Sequence, residues 1–331
     1  MTPALAIGID LGGTNIKGGV VDPSGRVLDR REIPTRADRG PGPVMDDLAE
    51  LVTRLRNDHP VLGIGLATPG PLDLRRGRII HAANLPGWID VPIRDALAET
   101  TGLRVVLEND ANAAAYGEFV AGAGRECLHM TLLTLGTGIG AGVIIDGRIL
   151  HGHFDNAAEL GHMIVVVDGE PCPCGQRGCL ERYASADAVV RRADVAPPLA
   201  GGAERKRPDQ SAERRRPDAP RTAEEVALLA SQGDEGCSRV WNEACLYLAV
   251  ACVNIQHAYN SQRIILGGGL SQAGVFLLNN VRCRMIEYAW KLHNDVPELL
   301  LAKLGSDAGI VGAAALLRDQ SGDAENPGRG R

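Results

Sequence analysis

The sequence predicts an α/β protein of two lobes with a cleft between them, and three observations support this prediction. The chain of 331 residues is longer than a usual single domain of ~100 to 200 residues. Hydrophobic residues make up 44% of it and aromatic residues only 3%, so Val, Ile, Leu and Ala must build the core, as in layered α/β folds. Apolar strands also alternate with helical stretches, which indicates a largely parallel sheet.

Local patterns define the elements of the first third of the chain. An apolar strand AIGID, a Gly-rich turn LGGTN and a second strand IKGGVVD begin a β-meander. Helices are predicted from about Val44 to Arg56 and from about Ile93 to Thr100. The strand LGIGLATPG and a loop through HAANLPGW lie between them, and the strand RVVLEND follows.

A second region repeats the opening pattern, because TLGTGIGAGVIID can be aligned with IDLGGTNIKGGVVD. The matched pairs are Leu11 with Leu135, Gly12 with Gly136, Gly18 with Gly142 and Asp22 with Asp146. The repeat suggests two lobes of one ancestral plan. Asp10 aligns with Thr134, so only the first copy offers a carboxylate beside its turn.

Residues 196–220 depart from this regular pattern. They are rich in Pro, Gly and charged residues and contain no aromatic or β-branched residue, so we expect a disordered surface insertion. A basic interaction arm is the alternative, but acidic residues are interspersed. Beyond the insertion, the pattern predicts a long helix through WNEACLYLAVACVNIQHAYN, a strand RIILGGG and then helices to about Arg318, with a frayed tail after Asp319.

Charge and hydropathy restrict the function classes. The formal net charge of -6 argues against nucleic acid as a partner, because such surfaces need excess Lys and Arg. The amino-terminal apolar run is too short for a signal peptide, and no run reaches the ~20 residues of a membrane span. We therefore expect a cytoplasmic protein with no membrane partner.

One His and three Cys lie close together in the segment GHMIVVVDGEPCPCGQRGCLE. The set comprises His162, Cys172, Cys174 and Cys179. Three thiolates and an imidazole are a preferred tetrahedral shell for Zn²⁺, so the sequence predicts one structural zinc ion per chain. A zinc-finger DNA module is a poor alternative, because the His precedes the cysteines and the net charge is negative.

Two Gly-rich turns, DLGGTNIKGG and LGTGIGAG, each lie between apolar strands, and a third Gly run spans Gly267 to Gly269. Such turns can direct backbone N–H groups and Thr hydroxyls at phosphate oxygens. Together they predict a nucleotide cleft, although neither a P-loop nor a GxGxxG motif is present. Asp10 is placed to hold Mg²⁺ through water, and Thr14 and Lys17 to meet phosphate.

The segment VVLENDANAAAYGEF runs from a strand into an Ala-rich helix, with Glu108, Asn109, Asp110 and Asn112 at the junction. A residue of this type at a helix start is often only an N-cap. Phosphoryl transfer to an alcohol, however, needs a positioned carboxylate to accept the hydroxyl proton. Asp110 is the candidate general base, since open α/β sheets bind ligands at the carboxyl ends of their strands.

At this point the motifs resemble those of the ROK family of sugar kinases and repressors, and most of all its bacterial glucokinases. DLGGTNIK, ATPGPLD, ENDANAAAYGE, LGTGIGAG, AELGHM, CPCGQRGCLE and IILGGGLS stand in family order, from about Ala6 to Leu317. The resemblance implies an actin/hexokinase-like (ribonuclease H-like) fold with a nucleotide and sugar cleft between lobes. It implies a smaller lobe of residues 1–120 joined by a helix at 306–320, a larger lobe of 121–305, and a homodimer.

The resemblance also implies roles for particular residues. Asp110 would be the catalytic base. The expected sugar contacts are Asn84, Asn109, Asp110, Glu159, His162 and Glu181, with backbone at Gly70. The expected nucleotide contacts are Gly12, Gly13, Thr14, Gly136, Thr137, Gly138 and Gly268, besides Asp10 and Lys17.

The reaction implied is transfer of phosphate from Mg-ATP to the 6-hydroxyl of a hexose, with glucose as the first expectation. N-acetylmannosamine, N-acetylglucosamine and fructose stay open as substrates, and polyphosphate as the donor. A sugar-responsive transcription regulator is the alternative from another class. We disfavour it because such regulators carry a helix-turn-helix segment ahead of the first strand, whereas AIGID begins almost at Met1.

Overall fold

The computed structural model describes residues 4–57, 59–82, 84–195, 220–291 and 296–323. Within them the strands are β1 (Leu5–Leu11), β2 (Asn15–Val21), β3 (Val27–Pro34), β4 (Val61–Thr68), β5 (Leu72–Asp73), β6 (Arg78–His81), β7 (Ile89–Val91), β8 (Val105–Asn109), β9 (Met130–Leu135), β10 (Ile139–Ile145), β11 (Arg148–Ile149), β12 (Arg263–Gly267) and β13 (Glu298–Leu301). The helices are α1 (Pro41–Arg56), α2 (Ile93–Thr101), α3 (Asp110–Ala121), α4 (Glu181–Ala184), α5 (Ala186–Val195), α6 (Ala223–Ser231), α7 (Glu235–Tyr259), α8 (Val275–Tyr288) and α9 (Ala308–Asp323).

Two five-stranded sheets with the same topology form the frame of the molecule. The first has the order β3-β2-β1-β4-β8 and the second the order β11-β10-β9-β12-β13. In each, the three strands of the opening meander pair antiparallel and the last two join in parallel. The repeat seen in the sequence is therefore a repeat of structure. A third, small antiparallel sheet has the order β5-β6-β7.

Each sheet is covered on its outer face by its own hydrophobic core. The first core packs α1, α2 and the small third sheet against the first sheet, and the second packs α4 to α8 against the second sheet. Helix α1 shows why: Val44, Leu48, Leu51, Val52 and Leu55 recur at helical spacing and are all buried. Such a stripe fixes one face of a helix against a core.

Helices α3 and α9 fill the layer between the two sheets and cross from one to the other. Helix α3 follows β8 of the first sheet but packs on β9 and β10, whereas α9 follows β13 of the second sheet but packs on β1 and β4. The two helices also pack tightly against each other. A Cβ at Gly312 would overlap the carbonyl of Ala113, so this close crossing requires glycine.

The α/β prediction is confirmed, and the predicted α1 and α2 lie within a few residues of their observed bounds. One prediction is wrong, because the stretch after β12 contains strand β13 as well as helices. The predicted loop through HAANLPGW connects β6 and β7, a pair of strands that the sequence analysis did not predict. Helix α9 also continues past Asp319 to Asp323. Residues 196–219 of the predicted insertion lie outside the described residues.

A short apolar run such as Leu299 to Leu301 of β13 fits a strand and a buried helix equally well, so only the parallel pairing of β13 with β12 decides between them. None of the described helices combines the length and the apolar character needed to cross a bilayer.

Candidate active site

A cavity of about 650 Å³ opens between the first and second sheets. Residues from both sheets, from α3 and from the start of α9 line it. Eight residues predicted from the sequence are among them, namely Asp10, Lys17, Asn84, Asp110, Gly136, Gly138, Glu181 and Gly268. The structure thus brings together groups from Asp10 to Gly268, which are far apart in the sequence.

Asp110 lies where β8 passes directly into α3. Asn109 is the N-cap of the helix, and its side-chain Oδ1 accepts hydrogen bonds from the backbone N–H groups of Ala111 (3.0 Å) and Asn112 (3.2 Å). The Asp110 carboxylate itself accepts the Ala111 N–H at 2.8 Å. The first turn of α3 therefore holds the Asp110 side chain in place at the cavity wall.

Burial raises the pKa of Asp110 to about 7, and the negative charges of Asp10 and Glu159 add to the rise. The hydrogen bonds from Ala111 and Asn109 act in the opposite direction. A general base is most effective when its pKa lies close to the working pH. Asp110 has that property and faces the cavity, so it can accept a proton from a hydroxyl group bound there.

Asp10, from β1, lies opposite Lys17 of β2 in the hairpin register. Burial raises the pKa of Asp10, and the Lys17 charge lowers it. The carboxylate lies against the first turn of α9, because a Cβ at Gly309 would come within 3.0 Å of Asp10 Oδ2. A carboxylate and an ammonium side by side can hold a hydrated divalent cation and an oxygen anion respectively.

The turn between β1 and β2 lies beside the cavity and not in its lining. Buried Thr35, which the sequence reading missed, holds this turn by donating from Oγ1 to the Gly12 carbonyl (2.7 Å) and from its N–H to the Thr14 carbonyl (2.8 Å). A Cβ at Gly13 would lie 3.1 Å from Asn84 Cβ. Gly12, Gly13, Thr14 and, in the matching turn, Thr137 are all outside the lining.

The residues predicted to contact sugar are split in the same way. Asn84, Asp110 and Glu181 line the cavity, whereas Gly70, Asn109, Glu159 and His162 lie around it. A Cβ at Gly70 would be 3.5 Å from Asn109 Nδ2, so these two are neighbours. Glu159 is close enough to Asp110 to raise its pKa. This end of the cavity is rich in carboxylates and amides, which suit a polyhydroxyl ligand.

The predicted His and Cys cluster is assembled in the structure. One ligand atom from each of His162, Cys172, Cys174 and Cys179 lies within 4.8 Å of all the others. Cys174 Sγ is 3.7 Å from Cys179 Sγ, and Cys172 Sγ is 3.7 Å from His162 Nδ1. Two sulfurs at Zn–S ≈ 2.3 Å and the tetrahedral angle are about 3.8 Å apart. The donor set and its spacing therefore fit a tetrahedral Zn²⁺.

Glu181 joins this cluster to the cavity. Its Oε2 accepts the backbone N–H of Ile139 at 3.2 Å, and its Oε1 lies 3.5 Å from Cys172 Sγ. A Cβ at Gly138 would be only 2.5 Å from Oε2, so a side chain there would displace the carboxylate. A change in the cluster would thus move a carboxylate of the cavity wall.

Several lining residues were missed by sequence reasoning. Ser271, Gln272 and Ser306 line the end of the cavity near Gly268. The first two follow the Gly run of β12, and extending that motif by a few residues would have found them. Glu118 also lines the cavity, and its carboxylate accepts the backbone N–H groups of Lys303 (2.9 Å) and Leu304 (2.7 Å). No local sequence pattern predicts this contact between Glu118 and the segment before α9.

Comparison with known proteins places this geometry in context. Residues 6–320 match the ROK family. A glucokinase of Halalkalibacterium halodurans is 37% identical over 325 residues, which cover 96% of each chain. A ROK hexokinase from Thermus thermophilus superposes with a TM-score of 0.79 at 35% identity, covering 96% of this chain and 99% of that one. A ROK family glucokinase from Streptomyces griseus, in complex with glucose and AMPPNP, gives 0.77 at 31% identity, covering 96% and 100%.

Two similar α/β halves that face one cavity make this an actin/hexokinase-like protein, as its structural neighbours are. The chain belongs to the ROK family, which confirms the resemblance found in its motifs.

Proposed function

We propose that this protein transfers the γ-phosphoryl group of Mg-ATP to the 6-hydroxyl of glucose, giving glucose 6-phosphate and ADP. The observation that carries the proposal is Asp110, a carboxylate fixed at the start of α3, facing the cavity and having its pKa raised to about 7. The glucokinase relative and the glucokinase structure with glucose and AMPPNP support the choice of both substrates.

The carboxyl-rich end of the cavity would hold the sugar. Asn84, Asp110 and Glu181 line that end, with Gly70, Asn109, Glu159 and His162 next to it. As the bond from the 6-oxygen to the γ-phosphorus forms and the bond from that phosphorus to the bridging oxygen of ADP breaks, Asp110 accepts the hydroxyl proton. Asp110 therefore ends the step protonated and must release that proton before the next turnover.

The Gly-rich turns would hold the nucleotide. Gly136, Gly138 and Gly268 line the cavity, and Gly13, in the turn between β1 and β2, lies next to Asn84. Asp10 would bind Mg²⁺ through water, and the ion would neutralise charge on the phosphates. Lys17 would contact phosphate directly, and the turns at Gly12 to Thr14 and at Thr137 would contribute backbone groups. Cations and N–H donors placed between the sugar and the nucleotide would stabilise the charge of the transferred group.

We propose one structural Zn²⁺ per chain, held by His162, Cys172, Cys174 and Cys179. The 3.7 Å separations within the cluster support this ion. Thiolate ligands must stay reduced, which favours the cytoplasm as the location. The zinc would fix the segment that carries Glu181 and thereby shape the sugar pocket, without taking part in phosphoryl transfer.

We also propose the lobe division expected from the sequence, with residues 1–120 and a returning helix at 306–320 against residues 121–305. The packing of α9 on β1 and β4 supports the return. A homodimer is proposed as well, supported by exposed apolar side chains near the end of α8, namely Ile286, Tyr288 and Trp290. Light scattering at several protein concentrations would test it.

An assay across a panel of sugars tests the main proposal, with ADP release measured for ATP as the donor and sugar-phosphate formation measured for polyphosphate. The panel contains glucose, N-acetylmannosamine, N-acetylglucosamine and fructose, each with both donors. We expect glucose with ATP to give the highest kcat/KM, and glucose-6-phosphate dehydrogenase to oxidise the product. A higher kcat/KM for another sugar would change the substrate, and no ADP release above the Asp110→Asn background with any sugar would refute the kinase proposal.

A further inference from the structure

Three side chains that follow β11 contact the half of the molecule that contains the first sheet. Asn156 makes two hydrogen bonds to the backbone of one residue, because its Oδ1 accepts the Leu72 N–H at 2.9 Å and its Nδ2 donates to the Leu72 carbonyl at 3.0 Å. Asp155 Oδ2 accepts the Leu74 N–H at 3.2 Å. Leu72 belongs to the first core, whereas the chain on either side of this segment, at Leu150 and Leu160, packs in the second core.

His151 makes the third contact between the two halves. Its Nε2 lies 2.7 Å from Oε2 of Glu108, a buried carboxylate at the end of β8. The other oxygen of Glu108 accepts from the Asn109 N–H (2.9 Å) and from Asn112 Nδ2 (3.0 Å). Burial alone would lower the pKa of His151, but the hydrogen bond and charge of Glu108 raise it. The contact therefore reaches the residues that flank Asp110.

The backbone of this segment is held in an unusual conformation. Gly152, Asp155 and Ala158 have φ of 72°, 60° and 67°, so every third residue is left-handed. An alanine rarely adopts that conformation, and it persists only where surrounding contacts determine it. Ala158 directly precedes Glu159, one of the proposed sugar contacts. The strained residue Ala158 thus lies between Asn156, which contacts Leu72, and Glu159.

We propose that the side chains of His151, Asp155 and Asn156 form a clasp that holds the sugar end of the cavity in its closed, binding-competent arrangement. The inference rests on the proposed function, because it assigns the clasp to hexose binding. Leu72 follows Gly70 by two residues, and Glu108 precedes Asn109, so the clasp fixes two proposed sugar contacts without touching the sugar. Asn156 is a positioning residue that sets the population of the competent state.

Removing the Asn156 amide tests the clasp. In Asn156→Ala both hydrogen bonds to Leu72 are lost. Their loss lowers the fraction of the protein that is in the binding-competent state. The Kd for glucose, measured calorimetrically without nucleotide, should therefore rise about tenfold. The KM for ATP at saturating glucose should stay within about twofold of the wild-type value, because the variant changes none of the proposed nucleotide contacts.

Two variants serve as matched controls. Asn280→Ala removes an amide that donates to the Phe276 carbonyl within α8, far from the clasp. Phe154→Ala truncates a neighbouring side chain that is 80% exposed. Both should keep the wild-type Kd for glucose. A Kd in Asn156→Ala equal to that of the wild-type protein, or an equal rise in Asn280→Ala, would overturn the clasp.

A second pair of variants tests Asp155 should Asn156→Ala fail to fold. Asp155→Asn keeps an acceptor for the Leu74 N–H, and Asp155→Gly removes it, while both residues tolerate the left-handed backbone. The Kd for glucose should rise several-fold more in the Gly variant, and equal values would refute the idea. If the wild-type protein neither binds nor phosphorylates any hexose, the proposed function fails. If wild-type turnover is normal and the variants match it in Kd, the clasp alone fails.

Discussion

The first and second sheets share their strand order and directions, yet they present different groups to the cavity. The first hairpin places Asp10 opposite Lys17, whereas the second places Thr134 opposite Gly140. The first hairpin therefore carries a pair of opposite charges, and the second carries a hydroxyl group opposite a glycine. The two sheets therefore have the same backbone arrangement, and the difference between them lies in single side chains at matched positions. Those side chains determine which hairpin can bind a cation.

The two crossing helices differ in how they begin. Strand β8 ends at Asn109 and α3 starts at Asp110, so the helix start lies directly on the cavity. Strand β13 ends at Leu301 and α9 starts only at Ala308, with the segment 302–307 between them. The direct junction fixes one carboxylate against a helix N-terminus, and the longer one offers backbone and the Ser306 hydroxyl. The proposed catalytic and binding roles divide accordingly.

The largest effect is expected from removing the base at the direct junction. Asp110→Asn keeps the size of the side chain but cannot accept a proton, so kcat should fall about 10²- to 10⁴-fold while the Kd for glucose changes only a few-fold. Steady-state kinetics with calorimetric binding separates the two quantities. A variant with kcat within threefold of the wild-type value would show that another group accepts the proton.

Stability provides an independent check on the same substitution. The pKa of Asp110 is about 7 when folded and about 4 when unfolded, so the folded state loses stability as pH rises through this interval. Asp110→Asn removes that loss. We expect its Tm to exceed the wild-type value at pH 8 and to match it near pH 4. A lower Tm for the variant at pH 8 would show that the carboxylate is not destabilised by burial.

The next largest effect should follow from making the first hairpin like the second. Asp10→Thr removes the proposed Mg²⁺ carboxylate, and we expect kcat to fall about 10²- to 10³-fold. The reciprocal site provides the control, because Thr134→Ser keeps the hydroxyl and should cost less than about threefold. Titration of Mg²⁺ in both variants would locate the effect. Equal losses at the two positions would mean that the hairpins are not functionally different.

A smaller effect is expected at the Cys and His cluster, which belongs to the second-sheet half alone. Cys174→Ala should release the metal, lower Tm and raise the KM for glucose about tenfold, since Glu181 follows the cluster residue Cys179 by two positions and depends on that segment for its placement. Cys283→Ala, at an exposed cysteine outside the cluster, is the matched control. Metal analysis should find one zinc per wild-type chain. An unchanged KM in the folded fraction of the Ala variant would reduce the zinc to a stabilising role.

The parts of the fold and site that the sequence could predict have local signatures. The apolar strands around the two Gly-rich turns were readable because their pattern occurs twice, and the Cys and His cluster because its donors lie within twenty residues. Asp110 was readable because a β-branched strand runs straight into an Ala-rich helix. Each of these inferences needs only short-range order.

The strands and side-chain contacts that the sequence did not predict depend on pairing between distant segments. Strand β13 is a strand because it lies beside β12, and the contacts of Asn156 with Leu72 span 84 positions. The role of Glu118 likewise appears only when α3 meets the segment before α9. Burial is the other missing quantity, since a carboxylate in sequence carries no indication that its pKa will rise.

The pH dependence of kcat/KM for glucose tests most directly the central claim that Asp110 accepts the hydroxyl proton. Only the carboxylate form can do so, and its pKa is about 7, so the rate should fall as pH drops below that value. The negative charge of Asp10 contributes to the raised pKa. The account predicts an acid limb near pH 7 that moves to lower pH in the residual activity of Asp10→Asn. A rate independent of pH between about 5 and 8, or a limb that does not move in Asp10→Asn, would contradict it.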